Sequence, residues 1–144
     1  MTTVRQLLEI KGKNAWSIAP EMTVYEALQV MSEKDVGALL VIAEGNVVGI
    51  FSERDYARKL ILKGKFSRNA TVGELMTHEV LYVDPESTIE DCMALMTAKH
   101  VRHLPVLENK KLVGIVTIGD VVKQIISDQE FTIQQLEHYI TGGY

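Results

Sequence analysis

The stretch at residues 20–61, PEMTVYEALQVMSEKDVGALLVIAEGNVVGIFSERDYARKLI, is met again at residues 85–126 as PESTIEDCMALMTAKHVRHLPVLENKKLVGIVTIGDVVKQII. At a constant offset of 65 and without a gap, thirteen of the 42 positions are identical, against roughly one in sixteen expected from ordinary composition. Most of the remaining differences exchange one apolar residue for another, so the duplicated object is a folding unit. Two such units facing one another across a pseudo-twofold axis create two related crevices, and function is to be sought there.

Working outward from the repeat, Thr23-Val-Tyr-Glu26 has the spacing of a capping box. Val24, Ala27, Leu28 and Met31 follow at i, i+3, i+4 and i+7, which predicts a helix from about 23 to 35. The second copy repeats the stripe with Ile89, Cys92, Met93 and Met96, capped by Ser87 or Thr88. Two short apolar runs, 38–43 and 47–51, flank a turn through Glu44-Gly45-Asn46 and read as paired buried strands. Residues 103–107 and 111–116 do the same around Glu108-Asn109-Lys110, with Pro105 marking an edge or a strand start. The period then returns to helical, Tyr56, Ala57, Leu60 and Ile61 matching Val121, Val122, Ile125 and Ile126.

Each unit therefore reads β-α-β-β-α. The fold class expected is α/β (α+β): two pseudo-symmetric repeats packed as one module, with short helices at both ends. The boundaries are a first repeat with its N-terminal helix at 1–66, a second repeat at 67–128 and a helical tail at 129–144. The segment 62–79, with Gly64, Ser67 and Asn69, is the connection, and Thr71-Val-Gly-Glu74 is a capping-box pattern that starts a short helix. Thr3 to about Leu8 resembles it. Ile133, Leu136, Tyr139 and Ile140 sit at helical spacing after Thr132 and predict a short amphipathic helix, suited to packing on the body or on a second subunit.

Composition narrows the function classes. With 144 residues and 47% apolar content, the chain has enough for one domain-sized core. The net charge is −4 and the 15 basic residues form no run longer than two, so neither nucleic acid nor an anionic membrane is an expected partner. Any anionic ligand must be held by a few local groups. One cysteine leaves no internal disulfide framework and fits a reducing compartment. There is neither an apolar run of about 18 residues nor a basic-then-apolar leader, and the expected location is cytoplasmic.

The most specific local feature is Gly49-Ile-Phe-Ser-Glu-Arg-Asp55 with its counterpart Gly114-Ile-Val-Thr-Ile-Gly-Asp120. Both put a hydroxyl where a buried strand ends and a helix begins, with a carboxylate three residues on. Taken singly, Ser52 and Thr117 are ordinary N-caps, and Asp55 and Asp120 sit favourably in the positive first turn. Occurring twice at matching positions, the pattern points further. A helix start offers unpaired N–H groups to a phosphate, while a carboxylate, an acceptor only, suits a pair of sugar hydroxyls. Those complementary demands describe a nucleotide.

With Val101-Arg-His-Leu-Pro-Val106 and the Pro-x-x-Thr starts at Pro20 and Pro85 added, the halves resemble cystathionine-beta-synthase-type (CBS) domains, and the pair a Bateman module, over roughly residues 4–127. The resemblance implies a β-α-β-β-α unit, a homodimer and adenine nucleotide binding in clefts between repeats. Family ligands are AMP, ADP, ATP, NAD and S-adenosylmethionine, mostly in regulatory sensing. Carried over, it implies that Asp55 and Asp120 hold ribose hydroxyls, Ser52 and Thr117 contact phosphate, and Ile50 and Ile115 line the adenine or sugar. It also implies that each crevice joins the helix-start motif of one repeat to the segment before the other's hairpin.

On that reading Ser52, Arg54 and Asp55 face Arg102 and His103 in a donor-rich crevice, which binds the phosphate-bearing ligand more tightly. Thr117, Gly119 and Asp120 face Gly37 and Ala38 in a roomier, less basic one. Ser17 and Ile18 lie where family members present backbone and side chains to the adenine. Neighbouring Trp16 is a stacking candidate or a core or interface residue.

Other chemistry is not indicated. His78, His100, His103, His138 and Cys92 contain no pair at ligand-like spacing on a common face, so no metal is expected, and Cys92 reads as core. No G-x-S-x-G or phosphate-loop motif occurs, and Ser52 and Thr117 have no locally placed histidine, so catalysis and a catalytic cofactor are not expected. The expectation is a sensor of an adenosine ligand, AMP or NAD(H) before ADP, ATP or S-adenosylmethionine, acting as a homodimer on an unidentified regulated protein. The alternative is a scaffold that dimerises and docks a partner through the tail, with vestigial clefts.

Overall fold

The computed structural model describes residues 1–62, 64, 66 and 68–141; Ser67 and the last three residues of the 129–144 tail lie outside them. The chain divides into two compact units, one of Ala15–Leu81 and one joining Met1–Asn14 to the chain from Tyr82 onward.

In the Ala15–Leu81 unit, β1 (Ser17–Ile18) pairs in parallel with β2 (Ala38–Ala43), which pairs antiparallel with β3 (Asn46–Ser52). Helix α2 (Val24–Lys34) begins where Thr23 and Glu26 form the reciprocal capping box, and it buries Val24, Ala27 and Met31. It stops at Asp35, which turns left-handed at φ 53° and donates its N–H to the Met31 carbonyl. The hairpin turn passes through Glu44 and Gly45 at φ 52° and 79°, the pair of positive values that two-residue β-turns with the strands' own twist require. The core gathers Ile18, Val24, Ala27, Met31, Leu39, Val41, Phe51, Leu60, Val72 and Leu75. After β3 the helical run is brief: α3 (Glu53–Asp55) widens at once into a π-helical turn, Tyr56–Leu60. Helix α4 (Val72–Leu75) forms at the expected place, but Thr71 makes no cap to the backbone; its hydroxyl donates instead to Glu74 Oε1 at 3.3 Å.

The second unit repeats the plan. Helix α5 (Ile89–Lys99) starts on the Thr88–Asp91 capping box, buries Ile89, Cys92 and Met96, and ends at left-handed His100. Strands β4 (His103–Glu108) and β5 (Lys111–Thr117) pair antiparallel, and their bulge after Val106 matches the one after Val41 at the repeat offset. The equivalent of β1 shrinks to a single parallel bridge, Val83 to Val106, where β1 sets Ile18 on Val41. Pro105 lies within β4 rather than at its start, its carbonyl accepting from the Val83 N–H at 3.1 Å.

The ends of the chain depart from the sequence expectation in two ways. Helix α1 (Val4–Lys11), grouped with the first repeat by sequence position, packs in the unit of the second: the Val4 N–H donates to the Ser87 carbonyl and the Arg5 N–H to the Pro85 carbonyl. Its counterpart α4 packs in the unit of the first repeat, so each repeat's hairpin receives a leading segment. A glycine admits the contact in both: a Cβ on Gly49 would come within 2.6 Å of Met76 Sδ, and one on Gly114 within 2.8 Å of a Leu8 methyl. At the other end, the expected short helix after Thr132 is part of one continuous helix, α6 (Ile118–Ile140). Thr132 does not cap it, because its hydroxyl bonds back to the Asp128 carbonyl one turn earlier and the chain passes through without a break.

Candidate functional site

Both helix starts form as the duplicated motif requires. At the first, the Ser52 hydroxyl accepts from the Asp55 N–H at 3.1 Å, while the Ser52 N–H donates to Asp55 Oδ2 at 2.9 Å. At the second, Thr117 and Asp120 exchange the same bonds at 3.2 and 3.0 Å. The carboxylates thus point back onto the strand end.

The two carboxylates then differ. Asp55 is buried, and both its oxygens are committed: Oδ2 also accepts from the Ser52 hydroxyl at 3.0 Å, and Oδ1 accepts from the Thr77 hydroxyl and Lys59 Nζ, each at 3.0 Å. Lys59 is fixed in turn by the Leu75 carbonyl at 3.0 Å. Asp120 is half-buried and uses Oδ2 alone, toward the Thr117 N–H and Lys11 Nζ at 2.6 Å. Its Oδ1 has no hydrogen bond among the described residues. Burial by itself would raise the Asp120 carboxyl, but the Lys11 ammonium and the Thr117 N–H outweigh it and hold the group below the ordinary carboxylate value.

The leading segments supply two of these extra partners, Thr77 and Lys11. Thr77 closes on Ile50 through two backbone bonds, at 3.1 and 2.8 Å, and reaches Asp55 with its hydroxyl. In the other unit Lys11, in the last turn of α1, spans the Ile115 carbonyl at 2.8 Å and Asp120. Lys59 was open to sequence reasoning as an i+4 neighbour of Asp55 on a helical run. Thr77 and Lys11 carried no such signal, since only tertiary pairing brings them to residues 22 and 109 positions away.

The remaining predicted site residues fall into two sets. In the Ala15–Leu81 unit, Ala38 pairs with Ser52, and the Gly37 carbonyl accepts from the Glu53 N–H at 3.0 Å, so Gly37 and Ala38 adjoin their own repeat's motif. Arg54 is exposed in the first turn. Ser17 is exposed, whereas the side chain of Ile18 belongs to the core. Trp16 lies under Lys34, whose Nζ is 4.4 Å from the ring centroid, a cation–π contact that occupies one face.

In the other unit His103 pairs with Thr117, and the Arg102 carbonyl accepts from the Ile118 N–H at 2.9 Å. Arg102 is exposed and His103 half-buried. Gly119 leaves open space, the nearest atom to a Cβ there being Thr117 Oγ1 at 3.7 Å. This unit therefore collects Arg102, His103, Thr117, Gly119 and Asp120 around one helix start, with Lys11 at its edge. A carboxylate with a free oxygen, a hydroxyl cap and cationic side chains within one unit suit a sugar bearing an anion.

No group of three or more His, Cys, Asp or Glu among the described residues is placed to hold a metal ion, and no helix among them is long and apolar enough to cross a membrane.

A family model for the CBS domain matches residues 4–62 and 72–127. The chain is 39% identical over 153 aligned residues to the Arabidopsis thaliana CBS domain-containing protein CBSX3, mitochondrial, covering 99% of this chain and 74% of that one. Among solved structures, a CBS-domain protein of Burkholderia ambifaria that carries a signal-transduction name superposes with a TM-score of 0.86 at 46% identity, over 89% of this chain and 96% of its own. The CBS domain pair of the protein MJ0100, solved with 5′-methylthioadenosine and S-adenosyl-L-methionine, shares the fold at a TM-score of 0.76 and 24% identity, over 86% and 99% of the two chains.

Proposed function

This chain belongs to the CBS-domain family, and from that premise we propose that it is a regulatory module that binds an adenosine ligand, AMP or NAD(H) by preference, and signals by a change of conformation or of subunit arrangement. The observation that carries the reading is the half-engaged Asp120: a carboxylate at a capped helix start, one oxygen anchored by Thr117 and Lys11, the other without a donor among the described residues. A ribose 2′,3′-diol supplies two O–H donors, and such a carboxylate can take them without losing its backbone bond. Asp55 would have to release Thr77 or Lys59 first, so the first ligand engages Asp120. Arg102 and Thr117, beside the same helix start, serve a phosphate, which favours AMP or NAD(H) over S-adenosylmethionine, a ligand without one. That MJ0100 holds adenosyl ligands on the same fold is in keeping with this reading.

Signalling follows only if the ligand prefers one state of the protein over another. The exchange of Lys11 between Asp120 and the ligand's phosphate is one such difference, because Lys11 ties helix α1 to the strand end.

Equilibrium dialysis of AMP, NAD(H), ATP and S-adenosylmethionine against the wild type, Asp120→Ala and Arg102→Ala tests the assignment. Losing a charge-assisted hydrogen bond costs about 1.5–3 kcal/mol, so Asp120→Ala weakens every adenosine ligand on the order of 10- to 100-fold. Arg102→Ala weakens AMP and NAD(H) but spares S-adenosylmethionine. A wild type that binds none of the four leaves a duplicated scaffold and removes the sensor.

A further inference from the structure

The two copies of the helix-start motif are wired differently, and two side chains outside the motif carry the difference. Asp55 Oδ1 accepts from the Thr77 hydroxyl and from Lys59 Nζ, each at 3.0 Å, whereas Asp120 Oδ1 has no hydrogen bond among the described residues. Neither donor hangs loose. Lys59 Nζ also donates to the Leu75 carbonyl at 3.0 Å, and Thr77 is pinned to Ile50 through its N–H and its carbonyl.

The backbone explains why only one copy has these donors. Lys59 lies on the π-helical turn Tyr56–Leu60, a rare form found mostly at functional sites. Its counterpart at the repeat offset is Gln124, on the regular helix α6, and that amide donates forward to Asp128 Oδ1 at 2.9 Å rather than back toward Asp120. The leading segments diverge too. Leu8 and Met76 meet equivalent glycines, Gly114 and Gly49, but α1 continues to Lys11, while α4 stops at Leu75 and Thr77 bridges to Ile50. That bridge delivers the hydroxyl to Asp55.

We propose that Thr77 and Lys59 form an autoinhibitory latch on Asp55, so that the chain takes one adenosine ligand readily and a second only where the latch opens. The inference rests on the adenosine reading above and adds what governs the first-repeat copy of its site. A ribose diol must compete for Oδ1, because Oδ2 is already held by the Ser52 N–H at 2.9 Å and the Ser52 hydroxyl at 3.0 Å. The apparent affinity of a site falls by the fraction of molecules in which it is open. Asp55 is only 8% exposed, and parting it from an ammonium and a hydroxyl loses charge-assisted hydrogen bonds, which puts the open fraction on the order of 1–10%. The response has two ranges: Asp120 fills at low ligand concentration, and Asp55 at a concentration on the order of 10- to 100-fold above what its bare motif would need.

Isothermal titration calorimetry of the full chain with AMP tests the latch. The wild type is expected to take one AMP per chain in the tight range. Thr77→Val combined with Lys59→Met returns Asp55 Oδ1 to the condition of Asp120 Oδ1, and the second AMP then tightens on the order of 10- to 100-fold. The first AMP keeps its wild-type affinity, which reports that the variant is folded; should it not fold, Thr77→Val alone gives a smaller gain. Thr77→Ser, which keeps the hydroxyl, behaves as the wild type, and Asp55→Ala added to the double variant abolishes the second AMP. Two AMP of equal affinity on the wild type, or a folded double variant that keeps the first AMP and gains no second, overturns the latch. A wild type that takes no AMP beside a double variant that takes one sinks the assignment to Asp120 and upholds the latch, and no AMP on either removes both.

Discussion

Removing the ammonium of Lys11 while keeping its apolar stem, as Lys11→Met does, probes the contact that fastens helix α1 to the Asp120 helix start. Lys11 Nζ lies 2.6 Å from Asp120 Oδ2 and 2.8 Å from the Ile115 carbonyl, and each side chain of the pair is 24% exposed. A fully exposed ion pair contributes about 0.2–1 kcal/mol, and a charge-assisted hydrogen bond shielded from water about 1.5–3 kcal/mol. At this intermediate burial the expected coupling is about 1–2 kcal/mol. A double-mutant cycle with Asp120→Asn isolates it from the lost packing and from the Ile115 bond. Because the folded Asp120 titrates below its unfolded value of about 3.9, the stabilisation is complete above that pH and disappears as the pH falls through the folded value. Urea unfolding should therefore give the same coupling at pH 7 and pH 5 and a shrinking one below about pH 4. A coupling under about 0.3 kcal/mol at pH 7, or one that persists unchanged at pH 3, refutes the reasoning.

Two further outcomes follow from the geometry. Gly49→Ala, whose Cβ would lie 2.9 Å from the Thr77 carbonyl oxygen and 2.6 Å from Met76 Sδ, should cost about 1–3 kcal/mol of stability, whereas Gly119→Ala, in open space at a helix start, should be neutral or stabilise by up to about 1 kcal/mol; thermal unfolding of both distinguishes close approach from a general glycine effect. Burial, and then the charges of Asp91 and Glu90, push the Cys92 thiol up to about 11, so at pH 8 it should resist a disulfide reagent in the folded protein and react at once after urea denaturation.

Much of the architecture was open to reading because its signals are local and occur twice. Thr23 with Glu26 and Thr88 with Asp91 cap their helices, and the apolar stripes behind them face the cores. The hairpins appear with equivalent bulges. What escaped depends on distant partners. Nothing in Thr3-Val-Arg-Gln-Leu-Leu tells that α1 joins the strands of the later repeat, because the determinant is the Gly114 surface more than a hundred residues on. The single long α6 was missed for a different reason: Thr132 has a helix-capping side chain, but with no break before it the hydroxyl bonds within the helix.

At the candidate site the Ser52–Asp55 and Thr117–Asp120 pairs were legible, and so was Lys59 four residues after Asp55, while Thr77 and Lys11, which also decide how free each carboxylate remains, were not. The resemblance led to an expectation that both carboxylates hold a sugar, with the tighter crevice at Asp55. The neighbours Thr77 and Lys59, with Ser52, engage Asp55 on both oxygens, whereas Lys11 and Thr117 engage Asp120 on one.

The exchange of leading segments between repeats sets an order of events on the ribosome. Residues 15–81 are contiguous and can acquire their core as soon as they emerge, with α4 arriving in sequence to complete it. Residues 1–14, although synthesised before that unit, have no surface to dock on until β5 has left the exit tunnel. Until then they remain an undocked amphipathic segment, open to chaperones and proteases.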